Sequence, residues 1–165
     1  MSLELEVYPD AETAVERVAE LIGERTRGAE GRFSLALSGG SVATDLSHAL
    51  ADEEIPWERI DVFQVDERIA PPGHPDRNLT GLISELPAGA RRDLRAMPVE
   101  EDDLEAAAAH YAALLPPALD LVHLGLGPDG HTASLIPGDT VLDVRDRPVA
   151  VTSEYESRRR MTLTY

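Results

Sequence analysis

The sequence predicts an α/β domain of Rossmann-like type, with a mostly parallel sheet and helices on both of its faces. Two observations predict this class. Short apolar runs alternate with helical patterns along the chain, and loops rich in glycine or charge directly follow three of those runs. A length of 165 residues suits one domain, and no linker or repeat divides it, so residues 1–165 are interpreted as a single unit.

The first elements are clear from local pattern. Alternation at residues 3–7 predicts a short strand, and Asp10 is a candidate N-cap for a helix over residues 11–25. The apolar run at residues 33–37 predicts a buried strand, and a second helix is expected over residues 42–51.

The rest of the chain continues the alternation. Residues 60–65 predict a buried strand, and Asn78 is a candidate cap for a short helix that ends at Glu85. Residues 101–115 form a strong helical pattern, with acidic residues in the first turn and Pro116 at the end. Three later strands are predicted, at residues 121–124, 149–152 and 161–164.

Composition excludes several classes of protein. The net charge of −16 argues against nucleic acid or an anionic membrane as a partner. All 15 basic residues are arginine, which excludes a Walker A lysine, a Schiff-base lysine and a pyridoxal phosphate anchor. The absence of cysteine excludes disulfides and a thiol nucleophile. No signal peptide or membrane-spanning run is recognisable, so a cytoplasmic location is expected.

The first unusual loop is Ser38-Gly39-Gly40-Ser41, between a strand and a helix. Glycines let the backbone approach a ligand, and the helix N-terminus favours an anion such as a phosphate. A tight turn with a serine cap would have the same sequence, so this loop alone leaves both interpretations open.

The second loop begins with Asp66-Glu67-Arg68, immediately after an apolar strand. Such clusters usually form solvated ion pairs, but at a strand end they project into the crevice where α/β proteins bind ligands. The planar fork of Arg68 suits a phosphate or carboxylate. His74, farther along the loop, is interpreted as a hydrogen-bonding loop residue rather than a catalyst.

The third loop runs from Gly125 to His131 and matches G-x-G-x-x-G. A dinucleotide site is nevertheless rejected, because Pro137 and the glycine after it would end the required helix within two turns. His131 is instead a candidate general base, oriented by Asp129; the alternative is a structural hydrogen bond. No second histidine lies at ligand spacing, so no metal site is expected.

With these residues, the chain resembles the 6-phosphogluconolactonase family, within the wider glucosamine-6-phosphate isomerase/deaminase-like group. Three segments carry the resemblance: LALSGGSVATDL, VFQVDERIAPPGHPDRN and LVHLGLGPDGHTASLIPG. A weaker fourth segment is Arg159-Arg160-Met161-Thr162-Leu163-Thr164. Arg68 stands where similar deaminases usually have tyrosine, and Thr-Ala-Ser-Leu follows His131 in place of a Phe-Asn-Glu-type segment. Both features favour the lactonase branch.

The resemblance implies hydrolysis of 6-phosphoglucono-δ-lactone to 6-phosphogluconate in the oxidative pentose phosphate pathway. It implies no metal or organic cofactor, and a monomer or homodimer whose partner is the phosphorylated sugar lactone. His131 would activate water, with Asp129 and Asp66 as the other catalytic residues. The implied substrate or phosphate contacts are Ser38, Gly39, Gly40, Ser41, Arg68, Gly127, Gly130 and Arg160.

The chain also departs from the family. Ser41-Val42-Ala43 replaces Ser-Thr-Pro, and family members continue for several more strands and supply a late basic residue, often lysine. The sheet is therefore expected to be incomplete at its C-terminal edge, with Arg158, Arg159 or Arg160 as replacements for that charge. Two alternatives remain open: an amino-sugar phosphate isomerase or deaminase, and a shortened paralogue that binds sugar phosphates without catalysis.

Overall fold

A computed structural model describes residues 3–165, apart from the side chains of residues 41–43. The described chain contains two sheets. The first is parallel, in the order β4-β2-β1-β5, and consists of β1 (Phe33–Leu37), β2 (Ile60–Gln64), β4 (Leu94–Arg95) and β5 (Leu121–Val122). The second is antiparallel, in the order β3-β7-β6, and consists of β3 (Asp66–Arg68), β6 (Val149–Val151) and β7 (Arg160–Leu163).

In the part of the chain that the structure describes, five α-helices accompany the sheets: α1 (Ala11–Gly28), α2 (Ser41–Ala51), α3 (Asn78–Glu85), α4 (Ala88–Arg92) and α5 (Leu104–Leu114). Two 3₁₀ turns lie at Trp57–Arg59 and Thr140–Asp143. Within residues 3–165, no helix combines the length and apolar character that a membrane span requires.

Helices cover both faces of the parallel sheet, as predicted. Every residue of β1 is buried, and its side chains alternate between the two faces. Leu35 packs in one apolar cluster with Ile22 of α1 and Leu50 of α2. Ala36 packs in the other cluster with Tyr111 of α5. The core is therefore divided by the sheet into two layers.

Caps explain where two helices begin. Asp10 caps α1, since its carboxylate accepts a hydrogen bond from the Thr13 N–H at 2.8 Å, which confirms the predicted cap. Helix α5 begins at Leu104, later than the predicted residue 101, because Asp103 takes the cap position and accepts from the Ala106 N–H at 3.0 Å.

Three local predictions are wrong. Residues 3–7 form no strand; Leu3 is 96% exposed and no described strand lies beside it to pair with it. Asn78 is not a helix cap, because Arg77 takes that position. Residues 66–68 were assigned to a loop but form β3, whose pairing with β7 (Asp66 opposite Thr162) depends on residues far apart in the chain.

Candidate active site

Three loops leave the parallel sheet at one edge. Strands β2 and β5 both pair with β1 in parallel, so their carboxyl ends point the same way. The loops that follow β1, β2 and β5 are the three loops singled out in the sequence. In open α/β sheets this edge is where ligands bind.

The loop after β1 lies close to the loop after β2. A methyl group on Gly39 would be 2.4 Å from the side chain of Asn78, so only glycine fits at this position. Gly40 caps α2 with a φ of 96°, a conformation that favours glycine. Ser38 is buried, and its hydroxyl accepts a 3.5 Å hydrogen bond from the Gly125 N–H. Ser41 is the first residue of α2, and its side chain lies outside the described residues.

Asp66 connects the second loop to the third. Its carboxylate accepts a hydrogen bond of 2.6 Å from the Ser134 hydroxyl, in the third loop, and one of 3.2 Å from the Asn78 amide. Burial raises the pKa of Asp66; the Ser134 hydrogen bond and the nearby charges of Arg160 and Arg68 act in the opposite direction. A buried carboxyl group with a raised pKa is typical of functional sites, although structural networks also produce one.

Glu67 fixes the geometry around Asp66. It is fully buried, and its carboxylate forms an ion pair with Arg77 at 3.1 Å. Its oxygens also accept hydrogen bonds from the Gln64 amide (3.0 Å) and from the backbone N–H groups of Arg68 (2.8 Å), Asn78 (2.7 Å) and Leu79 (2.9 Å). Glu67 therefore joins β3 to the first turn of α3, and it holds the backbone of Arg68 and of Asn78, which donates to Asp66.

Arg68 lies beside the glycine loop. A cavity of about 190 Å³ has Gly39 and Gly40 on its wall together with Arg68. Arg68 is half-buried, and its guanidinium donates to the backbone carbonyl of Asp76 at 2.9 Å. The structure thus brings the first loop and the arginine of the second loop to one small cavity. His131 is not among the residues that line it.

Arg158 holds the far part of the second loop. Its guanidinium donates to the Asp76 carboxylate at 3.0 and 2.9 Å, which lowers the pKa of Asp76. The same group lies 3.3 Å from Nε2 of His74, and Nδ1 of His74 accepts a 3.1 Å hydrogen bond from the Asp76 N–H. His74 is therefore bonded within the loop, as the sequence interpretation holds, and Arg158 attaches the hairpin between β6 and β7 to it.

The third loop places His131 beside Asp129. Nδ1 of His131 is 2.5 Å from Oδ1 of Asp129, and this hydrogen bond lowers the pKa of Asp129. A methyl group on Gly127 would be 2.4 Å from the imidazole, so Gly127 leaves the space for the ring. Gly130 has a φ of 87°. The side chain of His131 remains 19% exposed, which leaves it accessible to a small molecule.

The chain after Gly130 is a turn rather than a helix. Thr132 and Leu135 form an isolated bridge, and Ala133 between them has a positive φ of 49°. The helix that a dinucleotide fingerprint needs after its glycines is therefore not formed in this segment.

Arg160 lies behind the third loop. Its side chain is 4% exposed, it forms a 3.1 Å ion pair with Glu156, and its guanidinium stacks 4.9 Å above the ring of Tyr155. Sequence reasoning did not single out Tyr155 or Ser134 as site residues, and it assigned Asn78 only to a helix cap. Tyr155 stands in a turn with no local signal for a site, so only the fold reveals its contact with the loop.

The chain matches proteins of one family along almost its full length. The family described as glucosamine-6-phosphate isomerases/6-phosphogluconolactonase matches residues 9–165. A 6-phosphogluconolactonase of Nostoc is 37% identical over 182 aligned residues, covering 100% of this chain and 75% of the relative. One of Synechocystis is 36% identical, covering 90% of this chain and 65% of the relative. The chain therefore spans about two thirds to three quarters of their length.

Solved structures agree. The fold is similar to a 6-phosphogluconolactonase from Shewanella baltica, with a TM-score of 0.84, 26% identity, and coverage of 94% of this chain and 72% of that one. A 6-phosphogluconolactonase from Leishmania guyanensis gives a TM-score of 0.86 at 20% identity, covering 99% of this chain and 76% of that one. At that level of identity the second comparison concerns the fold alone.

Proposed function

Since this chain belongs to the glucosamine-6-phosphate isomerase/6-phosphogluconolactonase family, we propose that it hydrolyses 6-phosphoglucono-δ-lactone to 6-phosphogluconate in the oxidative pentose phosphate pathway. The observation that carries the proposal is the His131–Asp129 pair, at the same sheet edge as the Gly39–Gly40 loop and Arg68. We propose the cytoplasm as the place of reaction, and residues 1–165 as one catalytic domain that acts as a monomer or homodimer.

The proposed chemistry begins at His131. Its Nδ1 is occupied by the hydrogen bond to Asp129, which leaves Nε2 to accept a proton from water. The resulting hydroxide adds to the lactone carbonyl carbon. When the tetrahedral intermediate collapses, the bond between that carbon and the ring oxygen breaks, and the departing oxygen takes the proton back from the imidazolium. The product acid then releases a proton to solvent.

Substrate binding is assigned to the first two loops. The guanidinium of Arg68 is the proposed phosphate ligand, because its planar fork can contact two oxygens. Backbone N–H groups of Gly39, Gly40 and Ser41 at the start of α2 suit an anionic group. Asp66 is the proposed ligand of a sugar hydroxyl, since it lies close after β2 at the same sheet edge, two residues before Arg68, and is held by Ser134.

The test is lactone hydrolysis at neutral pH, corrected for the spontaneous reaction. His131→Gln should lower kcat at least about 100-fold, the contribution typical of a general base. His110→Gln is the matched control, because His110 is exposed on α5. Full activity of His131→Gln would remove this histidine from the mechanism.

Arg68→Met separates binding from chemistry. It should raise KM for the phosphorylated lactone and leave hydrolysis of unphosphorylated glucono-δ-lactone unchanged, because only the former needs the guanidinium. Equal effects on both substrates would contradict phosphate binding by Arg68. Release of ammonia from glucosamine 6-phosphate, or thermal stabilisation by 6-phosphogluconate without any turnover, would contradict the proposed lactonase activity.

A further inference from the structure

The hairpin between β6 and β7 reaches the proposed catalytic pair. Strand β7 is fixed to β3 beside Asp66, so the hairpin is anchored to the site at its base. At its tip, Tyr155 and Arg158 exchange backbone hydrogen bonds of 2.9 and 3.2 Å that close the turn. The tip therefore holds Tyr155 in a defined position over the third loop.

Tyr155 contacts both members of the pair. Its hydroxyl donates to Oδ2 of Asp129 at 3.2 Å, while Oδ1 of the same carboxylate faces Nδ1 of His131. The ring of Tyr155 stands edge-on to the imidazole, with centroids 5.9 Å apart and planes at 67°. Oδ1 also accepts a hydrogen bond of 3.3 Å from the His131 backbone N–H, whereas Oδ2 has the Tyr155 hydroxyl as its partner among the described residues.

We propose that Tyr155 is a positioning residue, which holds the Asp129 carboxylate so that it keeps His131 in the tautomer that has Nε2 free. This inference rests on the proposed function. Asp129 is an exposed residue in a glycine-rich loop, and both of its contacts with His131 are made by Oδ1. The Tyr155 hydroxyl fixes the second oxygen, Oδ2, and so sets the orientation of the carboxylate plane.

Tyr155 also contacts Arg160. The guanidinium of Arg160 lies 4.9 Å from the centroid of the tyrosine ring, a cation–π distance, and the Arg160 side chain is almost fully buried. Glu156 pairs with the same guanidinium at 3.1 Å. A chain of contacts therefore links the buried Arg160 to His131 through Tyr155 and Asp129.

Tyr155→Phe tests the inference, because it keeps the ring and its stacking on Arg160 and removes only the hydroxyl. We expect kcat to fall about fivefold, the value of one hydrogen bond, with KM within about twofold of the wild type and the melting temperature within about 2 °C. Tyr165→Phe is the matched control, since Tyr165 is 71% exposed and should keep full activity. Undiminished kcat in Tyr155→Phe would overturn the inference.

A double-mutant cycle shows whether Tyr155 acts through Asp129. In an Asp129→Asn background, adding Tyr155→Phe should cause little further loss, because the carboxylate that the hydroxyl orients is gone. Losses that multiply would mean that the two residues act independently, and would refute the positioning role.

The tautomer of His131 gives a readout that does not need turnover. Nitrogen-15 NMR should show the Nδ1–H form in the wild type and a reduced share of it in Tyr155→Phe; His131→Gln identifies the signals. An unchanged tautomer population in Tyr155→Phe would overturn the inference, even if the wild type had no lactonase activity. Absence of that activity together with a changed population would count against the proposed function alone.

Discussion

Replacement of Glu67 by glutamine should destabilise the protein strongly, although the two side chains have nearly the same shape. The carboxylate is buried and accepts from four donors, two on each oxygen, while Arg77 adds a positive charge beside Oε2. A glutamine can offer an acceptor on one side only. Its NH₂ group would face N–H donors on the other side, whichever way it is turned.

The size of the expected stability loss follows from these contacts. Two buried donors lose their acceptor, at about 1–3 kcal/mol each. Removal of one partner of a buried ion pair costs about 3–5 kcal/mol, and Arg77 keeps Glu100 at 2.6 Å, so the lower end applies. Added at their lower ends, these terms predict a loss of about 5 kcal/mol, or about 10–20 °C in melting temperature for a domain of this size.

Urea unfolding followed by circular dichroism measures this loss. Glu100→Gln is the matched control, since Glu100 contacts the same arginine but its side chain is 40% exposed. Its effect should stay below about 1 kcal/mol, because water screens the exposed carboxylate and Arg77 keeps its ion pair with Glu67. If Glu67→Gln lost less than about 1 kcal/mol, the network around Glu67 would not hold the loop as described.

Asp66→Asn should make the protein more stable at neutral pH, because the raised pKa of Asp66 means that its charged form is disfavoured in the folded state. In chemical unfolding, the difference in stability between the variant and the wild type should grow as pH rises above 3.8, the ordinary pKa of an aspartate. Gly127→Ala should lower lactone hydrolysis at least about tenfold, because its methyl group would displace the imidazole of His131. Gly125→Ala, whose methyl group would meet nothing within 4 Å, should keep full activity in the same assay. Ser157→Gly should stabilise the hairpin by about 1 kcal/mol in thermal unfolding, since Ser157 has a φ of 64°.

Each of these has a clear contrary outcome. An Asp66→Asn variant less stable than the wild type at neutral pH would mean that the nearby arginines outweigh burial. Equal activity of Gly127→Ala and Gly125→Ala would show that the imidazole tolerates displacement. The control for Ser157→Gly is Ser153→Gly, because the φ of Ser153 is not positive and glycine is not expected to stabilise the protein there. Equal gains at both serines would contradict the strain argument.

Local patterns predicted most of the parallel sheet and its helices. Apolar runs such as β1 need no distant information, because a fully buried strand is apolar at every position. Asp10 was predictable for the same reason, since a cap acts within one turn of its helix. The glycine loops were also visible, because each of them follows an apolar run directly.

In the second sheet, β6 and β7 were predictable as strands, but β3 was not, because its polar residues are buried by partners far along the chain. Asp-Glu-Arg at residues 66–68 has the sequence of a solvated loop, yet Glu67 is fully buried because Arg77 and the first turn of α3 satisfy its charge. Tyr155 and Ser134 have no local signal either. Their roles depend on which loops meet, and that is decided by the pairing of β3 with β7.

The hydrogen bond between Ser134 and Asp66 spans 68 positions of sequence. A site that depends on so distant a contact cannot form in a partly folded chain, since it requires both sheets to be docked. Occupancy by a sugar phosphate should therefore slow amide hydrogen exchange in the segments after β1, β2 and β5 together, rather than in one loop. Slower exchange in all three segments on ligand binding would then show that the site requires the complete fold.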